Sequence, residues 1–62
     1  MAKTLRRWVG TGFNKNVLLT EYEYSDGSIH YTFYDRFGHS GNPTTDEAKE
    51  IVKRWNLKKV EE

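Results

Sequence analysis

The sequence predicts an α+β domain in which a three-stranded antiparallel sheet is packed on one face by a single C-terminal helix, β-β-β-α with room for a short final strand. Three observations carry this. Asp26-Gly27 sits between residues 17–24 and 29–37, two runs rich in aromatic and β-branched side chains, which is the signature of a hairpin. Ala48, Ile51, Val52 and Trp55 recur at the spacing of one helical face, after Pro43 and the box Thr44-Thr45-Asp46-Glu47, where Thr44 and Glu47 can satisfy each other's backbone amides. A length of 62 residues without repeat or linker allows one domain, 1–62, and one small core.

Taken in order, the first element is a strand over residues 3–11. Leu5 and Val9 point inward in this reading, with Arg6 and Trp8 on the opposite side. Asn14-Lys15-Asn16 is a polar connection suited to left-handed backbone angles. The hairpin follows. With Asp26 and Gly27 as a two-residue loop, Tyr24 faces Ile29, Tyr22 faces Tyr31 and Thr20 faces Phe33. That register places Leu18, Thr20, Tyr22, Tyr24, Ile29, Tyr31, Phe33 and Phe37 on the core face. Val17, Leu19, Glu21, Glu23, His30, Thr32, Tyr34 and Arg36 fall on the other. Residues 38–43 are turn chemistry, and the helix begins at Thr44. Ile51, Val52 and Trp55 face the sheet, while Lys49, Glu50, Lys53 and Arg54 face water. Asn56 ends the helix, and residues 57–60 form a short last strand or a docked tail.

Composition narrows the function. Ten Lys and Arg against nine Asp and Glu give a net charge of +1, far from the balance of a domain built only to hold phosphates. There is no Cys, which removes a disulfide framework, a thiolate zinc site and a cysteine nucleophile and suits a reducing, cytoplasmic setting. No apolar run approaches the ~18 residues of a membrane span, so no membrane partner is expected. Nine aromatic residues supply large apolar areas that a chain this short cannot gather from aliphatics. A monomer or weak homodimer fits that core.

One helix covers one sheet face, so the other must meet water or a partner. The expected partner-binding residues there are Trp8, Leu19, Tyr34, Arg6, Arg36 and His30, because Trp, Tyr and Arg dominate interface energetics. A second surface is basic: Lys49, Lys53, Arg54, Lys58 and Lys59, with Arg7 near the N-terminus, can grip a phosphate backbone. No enzyme is expected, and no cofactor. Glu21 and Glu23 share a face but lack the pocket that raises one carboxyl's pKa. Two His residues without ligand spacing imply no metal, and Asp35, His39 and Ser40 sit too close in sequence to read as a triad. Gly10-Thr11-Gly12 lacks the third glycine of a dinucleotide loop.

The order of three strands and a helix resembles the small sheet-plus-helix domains with which some phage integrases bind arm DNA. It is also similar to small phage proteins that inhibit host machinery. The first resemblance implies a basic sheet face, where this reading places Glu21 and Glu23. The expected function is therefore a non-enzymatic module that occupies a protein partner's surface through the uncovered sheet face, as a phage-type inhibitor would. The alternative is nucleic-acid binding through the basic helix and N-terminus.

Overall fold

A computed structural model of the chain describes residues 2–60. It runs β1 (Lys3–Val9), one 3-10 turn (Gly12–Asn14), β2 (Leu18–Glu23), β3 (Ile29–Tyr34), β4 (Ser40–Gly41), α1 (Thr45–Arg54) and β5 (Lys58–Lys59). The expected α+β plan of an antiparallel sheet and one helix is present, but the sheet has five strands rather than three, in the order β4-β3-β2-β1-β5. Both added strands are dipeptides at the edges: β5 falls within residues 57–60, where the sequence allows a short last strand or a docked tail, whereas β4 is too short to leave a periodic trace in sequence.

The helix is built as its ends dictate. Glu47 N–H donates to Thr44 Oγ1 at 3.3 Å and Thr44 N–H to Glu47 Oε1 at 3.0 Å, completing the capping box. At the other end Asn56 adopts φ +52°. Its N–H donates to the Lys53 carbonyl and that of Leu57 to the Val52 carbonyl, the paired bonds of a Schellman motif. This reversal buries Leu57 and carries Lys58 and Lys59 back alongside Val9 and Trp8.

The hairpin register differs from expectation by one residue. The pairs are Leu18↔Tyr34, Leu19↔Phe33, Thr20↔Thr32, Glu21↔Tyr31, Tyr22↔His30 and Glu23↔Ile29. The cause is the loop, which holds three residues, Ser25, Asp26 and Gly27, closed by the Tyr24 N–H on the Ser28 carbonyl at 2.9 Å. Gly27 at φ +87° takes the left-handed last position of a three-residue loop. Asp26 Oδ1 accepts from the N–H and hydroxyl of Ser28 at 2.9 and 2.6 Å, fixing the longer loop.

A slip of one residue turns every side chain of β2 over. Leu19 and Glu21 face the helix. Leu18, Thr20 and Tyr22 face away, with His30, Thr32 and Tyr34 beside them. The β3 half of the expectation holds: Tyr31 and Phe33 lie on the core side. On β1, Trp8 pairs with Leu19 and Arg6 with Glu21, so these two face the helix and Val9 does not. Leu5 falls in a bulge between Thr4 and Arg6 and is 41% exposed. Phe37 stands at a turn tip, 65% exposed, instead of in the core.

Val17, Leu19, Tyr31, Ala48 and Leu57 form the buried core, flanked by Trp8, Phe33, Ile51, Val52 and Trp55. The helical stripe therefore meets the sheet as expected, with the Trp55 and Phe33 rings 6.2 Å apart. The β1–β2 connection doubles back tightly. A Cβ at Gly10 would lie 1.9 Å from the Asn14 carbonyl oxygen, which is why no side chain stands there.

Candidate functional site

Two surfaces collect the chemistry. The first is the helix-covered face on its β1 side. Glu21 is 4% exposed, yet it is fully partnered. Arg6 Nε and Nη2 donate to its two carboxylate oxygens at 2.6 and 2.8 Å, and the Tyr31 hydroxyl donates to Oε2 at 2.5 Å. The Arg6 hydrogen bonds hold the Glu21 carboxyl below the usual carboxylate range against the opposing effect of burial. Burial, then the hydrogen bond to Glu21, pushes the Tyr31 phenol up. The Arg6 guanidinium also lies 5.1 Å from the centre of the Trp8 ring, a cation–π contact that steadies both. Arg6 and Glu21, opposite charges on adjacent strands, thus meet under the helix rather than on the open face.

Between these strands and α1 runs a groove of about 550 Å³. Arg6, Trp8, Leu19 and Tyr31 form its floor, and Ala48, Val52, Lys49 and Lys53 its helical wall. Among the described residues no buried side-chain nitrogen or oxygen lacks a hydrogen-bond partner. Among the described residues no three His, Asp or Glu side chains converge to hold a metal.

The second surface is the sheet face that α1 leaves open. Tyr24 and His30 stack at 4.2 Å between centroids, and Tyr22 lies 5.5 Å from Tyr24 and 6.0 Å from His30. Thr32 Oγ1 donates to the Tyr22 hydroxyl at 3.1 Å, and Ser28 Oγ lies 2.8 Å from His30 Nε2. Cross-strand packing thus fixes the rings in one arrangement. Tyr34, 46% exposed, extends the patch along Leu18 and Val9. Thr4, Arg7 and Lys58 share the face by register with Tyr22, Thr20 and Val9. Among the described strand residues no carboxylate lies on it, because Glu21 and Glu23 point to the other side.

The six residues expected to meet a partner are therefore split. Tyr34 and His30 lie on the open face. Trp8, Leu19 and Arg6 belong to the covered side, Leu19 with 0% exposure, and Arg36 sits in the β3–β4 turn over the Phe37 ring at 4.8 Å. The basic set is also dispersed. Lys49 and Lys53 border the groove and Arg54 lies on the other flank of α1. Lys58 and Arg7 fall on the open side, and Lys59 on the covered side beside Trp8. Sequence reasoning missed Tyr22 and Tyr24 as surface residues. The one local signal was Ser25-Asp26-Gly27-Ser28, in which Asp26 Oδ1 accepts from the Ser28 N–H and hydroxyl in the three-residue loop.

No family model, curated protein or solved structure matches this chain. Among the described residues no helix is long and apolar enough to cross a membrane.

Proposed function

We propose that this chain is a small non-enzymatic binding module that occupies a protein partner's surface through the uncovered face of its sheet. The observation that supports it is the ring cluster of Tyr22, Tyr24 and His30, continued by Tyr34, on a face with no helix over it. Tyrosines supply large contact area with few torsions to freeze, and these rings already pack against each other, so docking sacrifices little conformational freedom. Threonine hydroxyls between them offer hydrogen bonds without a charge to desolvate. A module of this kind acts by occlusion, as an inhibitor of a larger machine does, and requires no cofactor.

The test is affinity capture from the native host with wild-type chain and with Tyr22→Ala and Tyr34→Ala. Both positions lie outside the core, so circular dichroism and melting should hold. Specific capture is expected to drop about tenfold or more for each. Capture indifferent to both changes refutes the sheet face as the contact.

One observation favours a second reading on the same face. Turning Glu21 and Glu23 inward removes the carboxylates that would have faced phosphates and leaves Arg7 and Lys58 there, closer to the basic sheet of the integrase arm-binding domains. Anisotropy with a labelled DNA duplex separates the two, since phosphate contacts lose orders of magnitude in affinity between about 50 and 200 mM salt. No binding at the lower salt removes this reading.

A further inference from the structure

We propose a second contact site, independent of the open sheet face, at the end of the sheet where the β1–β2 and β3–β4 turns project, with the surface of an anionic lipid bilayer as its occupant. Phe13 is 93% exposed and Phe37 65%, the two most exposed of the large apolar side chains described. Both stand at the same end, because β1 ends beside the start of β2, and Leu18 there pairs with Tyr34, the last residue of β3. The two turns are separated by about two strand spacings, roughly 10 Å.

Neither turn is loose. In the first, Asn14 N–H donates to the Thr11 carbonyl at 3.0 Å and Val17 N–H to the Asn14 carbonyl at 2.9 Å. Gly10 permits the close approach described above. In the second, Asp35 Oδ1 accepts from the Phe37 and His39 amides, both at 2.9 Å, and Gly38 takes φ +85°. Each phenyl ring is held away from its own core by a hydrogen-bonded frame, so inserting it elsewhere costs little further ordering.

Charge sorts along the same axis. Lys15 follows Phe13 by two residues, the Arg36 guanidinium lies over Phe37, and Lys58 pairs with Val9 at this end. The acid of these two turns, Asp35, is occupied by backbone amides and lies 3.4 Å from His39 Nδ1. Glu23 and Asp26 stand at the far end, at the β2–β3 hairpin, where Lys3, paired with Glu23, offsets only one of the two charges. The field therefore presents the phenyl tips first to a negative surface. A protein would need two separate apolar hollows at the tips' spacing; a bilayer accepts both rings in any register while cations meet head groups. The sequence argument against membranes concerned a spanning segment, and a tip contact needs none.

The full chain is mixed with sucrose-loaded vesicles of phosphatidylcholine alone, or with about 30% phosphatidylserine, at about 0.1 M salt. Co-sedimentation is expected with the serine-containing vesicles and little with the others. Phe13→Ser and Phe37→Ser should each lower the partition coefficient about tenfold, and the double variant should fall to the phosphatidylcholine level, with circular dichroism unchanged because neither ring packs in the core. Wild-type protein that ignores phosphatidylserine overturns the proposal. So does a double variant that sediments like wild type, since charge alone would then account for binding.

Discussion

Replacing Arg6 by methionine keeps the aliphatic stem in the groove and deletes the guanidinium that neutralises Glu21. Two charge-assisted hydrogen bonds, at 2.6 and 2.8 Å, are lost, and a carboxylate whose side chain is 5% exposed keeps only the Tyr31 hydroxyl. Removing one partner from a fully buried ion pair costs about 3–5 kcal/mol. The Arg6 side chain is 49% exposed, so water already screens part of the attraction, and a loss of about 2 kcal/mol at neutral pH follows. In a domain of this size that lowers Tm by roughly 8–16 °C. The sign with pH is fixed by linkage. The Glu21 carboxyl is held low in the folded wild type, so its contribution is present above the ordinary carboxylate pKa and fades as pH falls through the lowered folded value. Without Arg6 the buried carboxyl is driven up and simply protonates on acidification. Urea unfolding at pH 7 and near pH 3 should therefore show two curves that converge in acid. A difference under about 0.5 kcal/mol at pH 7, or one of equal size at both pH values, refutes the view that Arg6 stabilises a buried charge.

The remaining predictions concern backbone and core. Gly10→Ala forces a Cβ into the Asn14 backbone and should cost several kcal/mol, read as loss of the cooperative melt. Gly27→Ala, at φ +87°, should cost about 1–2 kcal/mol by urea titration; a neutral result would mean the loop has changed type. Thr44→Ala removes the capping box and should cost about 1 kcal/mol, with a matching loss of helical ellipticity at 222 nm. Trp55→Ala deletes a ring that is only half-buried against Phe33, so unfolding by urea should show about 2–3 kcal/mol lost, below the range for a fully enclosed tryptophan.

The helix was legible because its signals are local. Thr44 and Glu47 lie three residues apart, the apolar stripe repeats over two turns, and Asn56 marks the reversal. None of this depends on distant contacts. The edge strand Ser40-Gly41 was illegible for the opposite reason: it has no strand pattern of its own and is extended because β3 presents unpaired backbone to it. Lys58-Lys59 was legible only as one of two alternatives, a short last strand or a docked tail over residues 57–60. The hairpin is the intermediate case. Asp26-Gly27 announces a turn, but a left-handed glycine serves a two-residue loop and the last position of a three-residue loop equally well, and the difference of one residue decides every facing on β2.

The alternation of β2 could not arbitrate, since both of its faces contain an awkward group. One set, Leu18, Thr20, Tyr22 and Tyr24, would press bulky phenols under a ten-residue helix. The other contains Glu21, and a carboxylate is the last residue one assigns to a core. The structure takes the second option because the cost of burying Glu21 is offset from both neighbouring strands, by Arg6 on β1 and Tyr31 on β3. Leu19 then has 0% exposure and packs in the core with Ala48 and Tyr31. The tyrosines are left outside as a consequence. Their exposure is thus the complement of a partnered charge inside, and whichever partner binds the open face meets rings placed there by the register that buries Glu21. A change that made the covered face wholly apolar would leave those rings in place, so recognition and the buried ion pair should separate under mutation: Glu21→Gln should alter stability and leave binding at Tyr22 and Tyr34 intact.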